Sequence, residues 1–278
     1  MIDLHIHTHA LPHHSSWQPE ALVTTALAAG LHTIAVTDHN TTAGVAAVQA
    51  AGQQHGLRVI SGVEIDSGFT AAGDSPIPIK QWHTLVYGIR PDHPVLIALC
   101  NAVFERNMAD AARLREELQR RGFQLAAIDT PGRAPNVAEV ALALARANSL
   151  DTQPGEDDES AGMRYILTQT PGAYQPIDVR EVIETAHACG GIAVLAHPGR
   201  SKGIYAIPAV EEELRAMAMH GLDGIEVYYP IHSAEQRRRY LEIAHALGLL
   251  VSGGSDSHHP HQPLAQIPAE LMTILQKL

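Results

Sequence analysis

The first fourteen residues hold five histidines, His5, His7, His9, His13 and His14, together with Asp3. Asp3, His5 and His7 alternate with Ile2, Leu4 and Ile6. In an extended strand that period of two puts the polar set on one face and the apolar set on the other. Two imidazoles then stand side by side at a strand's end. Pro12 favours an extended or turn geometry, so His13 and His14 leave the strand and can fold back over it. Histidine is the commonest metal ligand, and this stretch could surround a metal. The competing reading of this stretch taken alone is a disordered or merely solvated histidine-rich terminus. What other strands deliver to the same place decides between the two.

The same residue types recur at strand ends along the chain. His39 follows the β-branched run Thr33-Ile-Ala-Val-Thr-Asp38, and Glu64 follows Arg58 to Val63. His83 opens the run to Ile89, His197 closes Gly190 to Ala196, and Asp256 and His258 close the run from Leu249. One histidine at a strand end has ordinary explanations, but recurrence after nearly every strand is what metal binding requires. Imidazole nitrogen mixed with carboxylate oxygen suits Zn, Mn or Fe better than Ca or Mg, which prefer oxygen shells.

The elements that must position these residues alternate. Helices are expected over about 19–29, closed by Gly30, and 43–55, closed by Gly56. Further helices are expected over about 94–121, 178–189, 210–220 and 234–247. Strand–helix alternation points to a parallel sheet flanked by helices, with the active site at the carboxyl ends of the strands. Periodicity gives seven strands, one short of the usual eight-stranded closure. His83 strains the rule, because it begins its strand, and 65–82 reads as a loop. A fourth strand antiparallel to the third would bring it back beside Glu64. Residues 99–169 are expected to form a mostly helical insertion capping the barrel mouth, with a short helix at 137–147. The acidic Pro154-Gly-Glu-Asp-Asp-Glu-Ser160 stretch fits a disordered surface excursion as well. The barrel itself would comprise 1–98 and 170–278.

Composition excludes several classes. With 278 residues and 45% hydrophobic content the chain can bury a full core. A net charge of −11 argues against general affinity for nucleic acid or anionic membrane. Cys100 and Cys189, the only cysteines, form no CxxC pattern, so neither a disulfide scaffold nor a cysteine–zinc site is expected. Nor is there a basic leader or a long apolar run, and a cytoplasmic location is the default expectation.

Together these motifs resemble the polymerase-and-histidinol-phosphatase (PHP) superfamily of metal-dependent phosphoesterases. The resemblance rests on Asp3-Leu-His5-Ile-His7-Thr, Val36-Thr-Asp38-His39-Asn, Gly62-Val-Glu64-Ile, His83 ahead of Val86-Tyr-Gly-Ile, Ala196-His197-Pro-Gly-Arg200 and Gly254-Ser-Asp256-Ser-His258, in family order. It implies a distorted seven-stranded (β/α)7 TIM-like barrel holding two to three divalent transition metals (Mn, Fe or Zn). His5, His7, Glu64 and Asp256 would hold one metal, and Glu64 would bridge to a second held by His83 and His197. A third would take His39, His258 and a loop residue that many relatives supply as aspartate. Relatives with histidine there place it six residues after the second histidine, which lands on His13, with His14 the alternative. Asp3 and Asp38 would orient imidazoles.

The resemblance further implies hydrolysis by metal-activated hydroxide at a trinuclear site, with Asp256, His258, His197 and Arg200 as the catalytic set. Arg200 would clamp substrate phosphate through bidentate hydrogen bonds. Arg164, and more weakly Lys202, Arg133 and Lys80, are further phosphate contacts by location only. The expected reaction releases inorganic phosphate from a small phosphorylated metabolite, such as a nucleotide or sugar phosphate, with a phosphomonoester as the first choice. The alternatives are a phosphodiesterase or cyclic-phosphate hydrolase, and a non-catalytic metal-binding regulatory barrel. A subgroup acting on small phosphorylated metabolites carries Gly-Lys-Pro and a histidine in the insertion. This chain has Gln169-Thr-Pro171 and Pro135-Asn136-Val137 there, and losing that lysine and histidine weakens any transfer of the subgroup's substrate to it.

Overall fold

The computed structural model describes residues 1–278 except 11–14, 74–78, 131, 154–155, 171 and 201–207. His13, His14 and Lys202 therefore lie outside the described residues. The strands are β1 (Ile2–Asp3), β2 (Thr33–Val36), β3 (Arg58–Thr70), β4 (Ile79–Tyr87), β5 (Ile177–Asp178), β6 (Ile192–Leu195), β7 (Gly224–Tyr228) and β8 (Leu250–Gly253). The helices are α1 (Pro19–Ala28), α2 (Val45–His55), α3 (Pro94–Arg120), α4 (Val137–Ala147), α5 (Asp158–Gln169), α6 (Val179–Ala188), α7 (Glu211–Met219) and α8 (Ala234–Leu247).

Seven strands follow one path, β1-β2-β3-β4-β6-β7-β8, and the two-residue β5 pairs off it with the far end of β3. All neighbours on the path are parallel except β4, which runs antiparallel to both β3 and β6. This is the seven-stranded α/β barrel expected from periodicity, including the reversed fourth strand. The seam between the first and last strands lacks a regular ladder. Single bonds close it: Leu4 N–H to Gly253 O at 3.2 Å, Asp256 N–H to His5 O at 2.8 Å and His7 N–H to Ser257 O at 3.0 Å. For that reason the strand expected over residues 2–7 is regular only at its start.

Alternation along each strand sorts side chains between two apolar layers. In β2, Ile34 and Val36 pack outward with Leu22, Val23 and Ala26 of α1 and Val45, Val48 and Ala51 of α2. Ala35 faces inward with Leu4, Ile60, Leu85, Tyr87 and Val194. Fully burying a residue of the Ile or Leu type contributes about 1.5–3 kcal/mol, so these layers fix which residues of each strand end can reach the rim. Met272 and Ile274 join the inner layer from the C-terminal segment.

Helix α3 contributes Leu96, Leu99, Cys100 and Val103 to the barrel's main core. Its later residues Ala111, Leu114 and Leu118 pack instead in a separate cluster with Val140, Ala141 and Leu144 of α4 and Met163 and Ile166 of α5. The acidic stretch is partly the start of α5, where Asp157 accepts the Ser160 N–H at 2.8 Å as a helix cap. Among the described residues no helix is long and apolar enough to cross a membrane.

Candidate metal centre

Glu64 is the middle of the site. It is fully buried on β3, and its Oε2 lies 3.2 Å from His5 Nε2, 3.2 Å from His7 Nε2 and 3.4 Å from His39 Nε2. Its Oε1 lies 2.8 Å from His83 Nδ1 and 3.2 Å from His197 Nε2. The antiparallel β3–β4 register pairs Glu64 with Leu85 and Asp66 with His83, which is how a strand-opening histidine reaches this rim. Asp256 Oδ1 stands 3.1 Å from His7 Nε2 and 3.5 Å from His5 Nε2, while the Tyr229 hydroxyl donates to its Oδ2 at 3.0 Å. The His258 ring stacks on His7 with centroids 4.0 Å apart, and its Nδ1–H donates to the Asp256 carbonyl at 2.8 Å.

The backbone is bent to this purpose. Asn40 (φ 52°), His197 (φ 31°) and Asp256 (φ 57°) are the only non-glycine residues in the left-handed region among those described, and all three adjoin the site. Such conformations cost on the order of 1–3 kcal/mol each and persist where the surroundings enforce them. Gly254 is required for a different reason: a Cβ there would stand 2.4 Å from both the backbone nitrogen and the Cβ of His5.

Charge is concentrated and dry. Burial raises the cost of ionising Glu64 and Asp256, yet the surrounding imidazoles, chiefly His83 and His5 for Glu64 and His5 and His7 for Asp256, hold both well below the usual carboxylate range. Burial likewise opposes protonation of His5 and His7, but their carboxylate partners outweigh it. His5 is held well above its ordinary value and His7 at about 9. Burial carries His197 down to about 4 and His258 to about 3, so both are neutral at pH 7 and offer lone pairs.

The donor set fits divalent transition metals. Ligand atoms of His5, His7, Glu64 and Asp256 lie within 4.8 Å of one another, as do those of His39, Glu64 and His83, and those of His7, His39 and His258. The first group matches the expected first site. The second gathers His39 where His197 was expected, and the third gathers His7 with His39 and His258. Moreover, His5 Nε2 and Glu64 Oε2 are buried and make no hydrogen bond. Leaving buried polar atoms unsatisfied is costly, and a cation between these two would satisfy both.

Other expected residues sort differently. The half-buried Arg200 follows His197 through a turn in which its N–H donates to His197 O at 2.9 Å, and its charge acts on His83, His197 and Tyr229. Arg164 sits on α5 with both guanidinium arms on Glu156, at 2.8 and 2.9 Å. Arg133 pairs with Glu139, and Lys80 is buried against Glu213 at 2.8 Å. Asp3 and Asp38 do not orient imidazoles. Asp3 accepts the backbone N–H groups of His5, Ser255 and Ala265 on the closing seam, and Asp38 accepts the N–H and hydroxyl of Thr8. Both carboxylates are taken up by nearby backbone N–H groups and, for Asp38, by the Thr8 hydroxyl.

Two carboxylates at the site escaped the sequence reading. Glu226, in the middle of β7, accepts the His5 Nδ1–H at 3.0 Å and the His197 N–H at 2.9 Å. Asp66 Oδ1 lies 3.3 Å from His39 Nδ1 and 3.5 Å from His83 Nε2. A carboxylate flanked by Ile225 and Val227 in a buried strand was the available signal for Glu226. Asp66 was hidden because 65–82 read as loop; had the third strand been extended, the period of two would have put Asp66 on the face of Glu64. With these two present, the centre is less cationic than Glu64 and Asp256 alone would make it.

The PHP domain family model matches residues 3–149. The phosphoribosyl 1,2-cyclic phosphate 1,2-diphosphodiesterase of Eggerthella lenta is 28% identical, covering 92% of this chain and 93% of its own length. The 3′,5′-nucleoside bisphosphate phosphatase of Chromobacterium violaceum is 24% identical (94% and 88%), and the 5′-3′ exoribonuclease of Haemophilus influenzae 29% (92% and 89%). A crystal structure of a candidate metal-dependent phosphoesterase from Bifidobacterium adolescentis superposes with a TM-score of 0.67 at 28% identity, covering 98% of this chain and 92% of that one.

Proposed function

This chain belongs to the PHP domain family, and on that premise we propose that it is a metal-dependent phosphoesterase releasing inorganic phosphate from a small phosphorylated metabolite, a monoester before a diester. The observation that carries the reading is the convergence of six imidazoles, from His5, His7, His39, His83, His197 and His258, with Asp256 around the buried Glu64. We assign His5, His7, Glu64 and Asp256 to one metal, Glu64, His83 and His197 to a second, and His39, His258 and His13 to a third.

Two or three Mn, Fe or Zn ions would supply Lewis acidity and a nucleophile from water whose pKa they lower. The protein's own groups do the rest. Arg200 donates bidentate hydrogen bonds to the phosphate oxygens, which a dianionic monoester accepts more strongly than a monoanionic diester. Tyr229 holds Asp256 Oδ2 so that Oδ1 faces His7. His197 and His258 stay neutral and border the reacting phosphate. Residues 99–169 cap the site and select the leaving group. The apolar cluster formed from Ala111 onward supports that role, because it lets this part of the segment vary without disturbing the barrel core.

Two relatives named for diester cleavage favour a second reading, a cyclic-phosphate or other diester hydrolase. A panel of 4-nitrophenyl phosphate, bis(4-nitrophenyl) phosphate and nucleotides, assayed after loading with Mn, Fe or Zn, separates them. Turnover of monoesters that chelation abolishes is the expected result. Faster diester cleavage selects the second reading, and stoichiometric metal with no turnover on any substrate would overturn both in favour of a binding protein.

A further inference from the structure

We propose that Glu226 and Asp66 are the positioning carboxylates of this centre, each fixing imidazoles whose opposite nitrogen faces Glu64. The inference rests on the metal reading above and assigns roles to residues outside the proposed ligand set.

Glu226 is fully buried in β7, between core residues Ile225 and Val227. Keeping a carboxylate there costs several kcal/mol, on the order expected for a desolvated ion, unless specific partners offset it. Its partners are two residues of the centre. The Nδ1 of His5 lies 3.0 Å from Oε1 and 3.3 Å from Oε2, and the His197 N–H donates to Oε2 at 2.9 Å. A carboxylate oxygen accepts, so His5 Nδ1 carries a proton, and the opposite nitrogen of the ring, Nε2, stands 3.2 Å from Glu64 Oε2 and 3.5 Å from Asp256 Oδ1. The second bond anchors the His197 backbone in its left-handed conformation, φ 31°. One side chain thus fixes one imidazole and the backbone of another.

Asp66 stands on the opposite side at ion-pair range. Its Oδ1 is 3.3 Å from His39 Nδ1 and 3.5 Å from His83 Nε2, while the other nitrogens of the same rings lie 3.4 and 2.8 Å from Glu64. Asp66 is itself held by Asn40, whose side-chain amide donates to Oδ2 at 2.9 Å and whose Oδ1 accepts the Asp66 N–H at 3.0 Å. Three imidazoles therefore lie between Glu64 on the inside and a carboxylate on the outside. That geometry is suited to acting through the imidazoles rather than beside them.

The test measures metal affinity by competition with a chromophoric chelator, using Zn or Mn, for the wild-type protein, Glu226→Gln and Asp66→Asn. Melting temperatures of the metal-free proteins are compared, and ¹H,¹⁵N-histidine spectra of the zinc-loaded forms report the imidazole N–H hydrogen bonds. Each variant is expected to lose about 10- to 100-fold in affinity while its metal-free form melts within a few degrees of wild type. The His5 Nδ1–H signal should move upfield, as its bond to a carboxylate is lost, only in Glu226→Gln. If Glu226→Gln does not fold, Glu226→Asp, which keeps the charge, carries the same comparison. Affinities within threefold of wild type, with unchanged N–H signals, overturn this inference alone. A wild-type protein that binds no metal overturns the metal reading and this inference with it.

Discussion

At the scale of single residues, the turn Pro198-Gly199-Arg200, proposed above to bring Arg200 to the phosphate, has little freedom. Tyr240 donates its hydroxyl to Pro198 O at 2.9 Å, Gln236 donates to Gly199 O at 2.7 Å, and the Gly199 N–H donates to His232 Nε2 at 3.0 Å. A Cβ on Gly199 would meet Tyr240 Cε2 at 2.8 Å, Gln236 Nε2 at 2.9 Å and His232 Cδ2 at 3.0 Å. Gly199→Ala must therefore push the turn, and Arg200 with it, away from α8. Such overpacking typically costs about 1–3 kcal/mol in stability. A shift near 1 Å in a phosphate-binding group can cost up to about 100-fold in rate. We expect kcat/KM to fall by about tenfold or more, with a rise in KM, while metal content stays at the wild-type value. Steady-state kinetics and elemental analysis check this together. Unchanged kinetics would show that the turn does not position substrate.

At the scale of elements, the Pro135-Asn136-Val137 stretch serves to start a helix. Asn136 is the N-terminal cap of α4. Here its Oδ1 accepts the Glu139 N–H at 2.8 Å, and Glu139 Oε2 accepts the Asn136 N–H at 2.9 Å, a reciprocal cap on α4. Asn136→Ala should lower stability by about 1 kcal/mol, read as a shift in denaturant midpoint, with metal content and kcat unaltered. A selective rise in KM instead would place Asn136 on the substrate. Elements with strong punctuation were readable from sequence: α4 runs over Val137–Ala147 and α8 over Ala234–Leu247, as the spacing indicates. The start of α5 was not, because a run of acidic residues looks like solvated loop even when Asp157 is a helix cap. The ligands at strand ends were readable because alternation and strand order bring them to one rim. Glu226 and Asp66 were not: the period of two places Asp66 on the face of Glu64 only once β3 is carried past Ile65, and which imidazole edge each carboxylate meets across the barrel is a tertiary fact.

At the scale of the whole molecule, the proposed ligands come from almost every strand. His5 and His7 follow β1, His39 follows β2, Glu64 lies on β3, His83 on β4, His197 follows β6, and Asp256 and His258 follow β8. Metal bound there would tie these strand ends together, including the seam where residues 4–7 meet 253–257 through single backbone bonds rather than a ladder. A ligand that binds only the folded state adds about 2.7 kcal/mol at one hundred times its Kd. For larger domains each kcal/mol moves the melting temperature by about 2–4 °C. Chelation should therefore lower the melting temperature by about 5–10 °C, and added Mn or Zn should restore it. Hydrogen exchange locates the effect: the amides of Leu4, His7 and Asp256, which bond across the seam, should lose protection on chelation well before those in the β2–β3 ladder. If chelation strips the metal yet leaves both the melting temperature and the seam amides unchanged, the barrel closes without help from its metal centre, and the ions serve the chemistry alone.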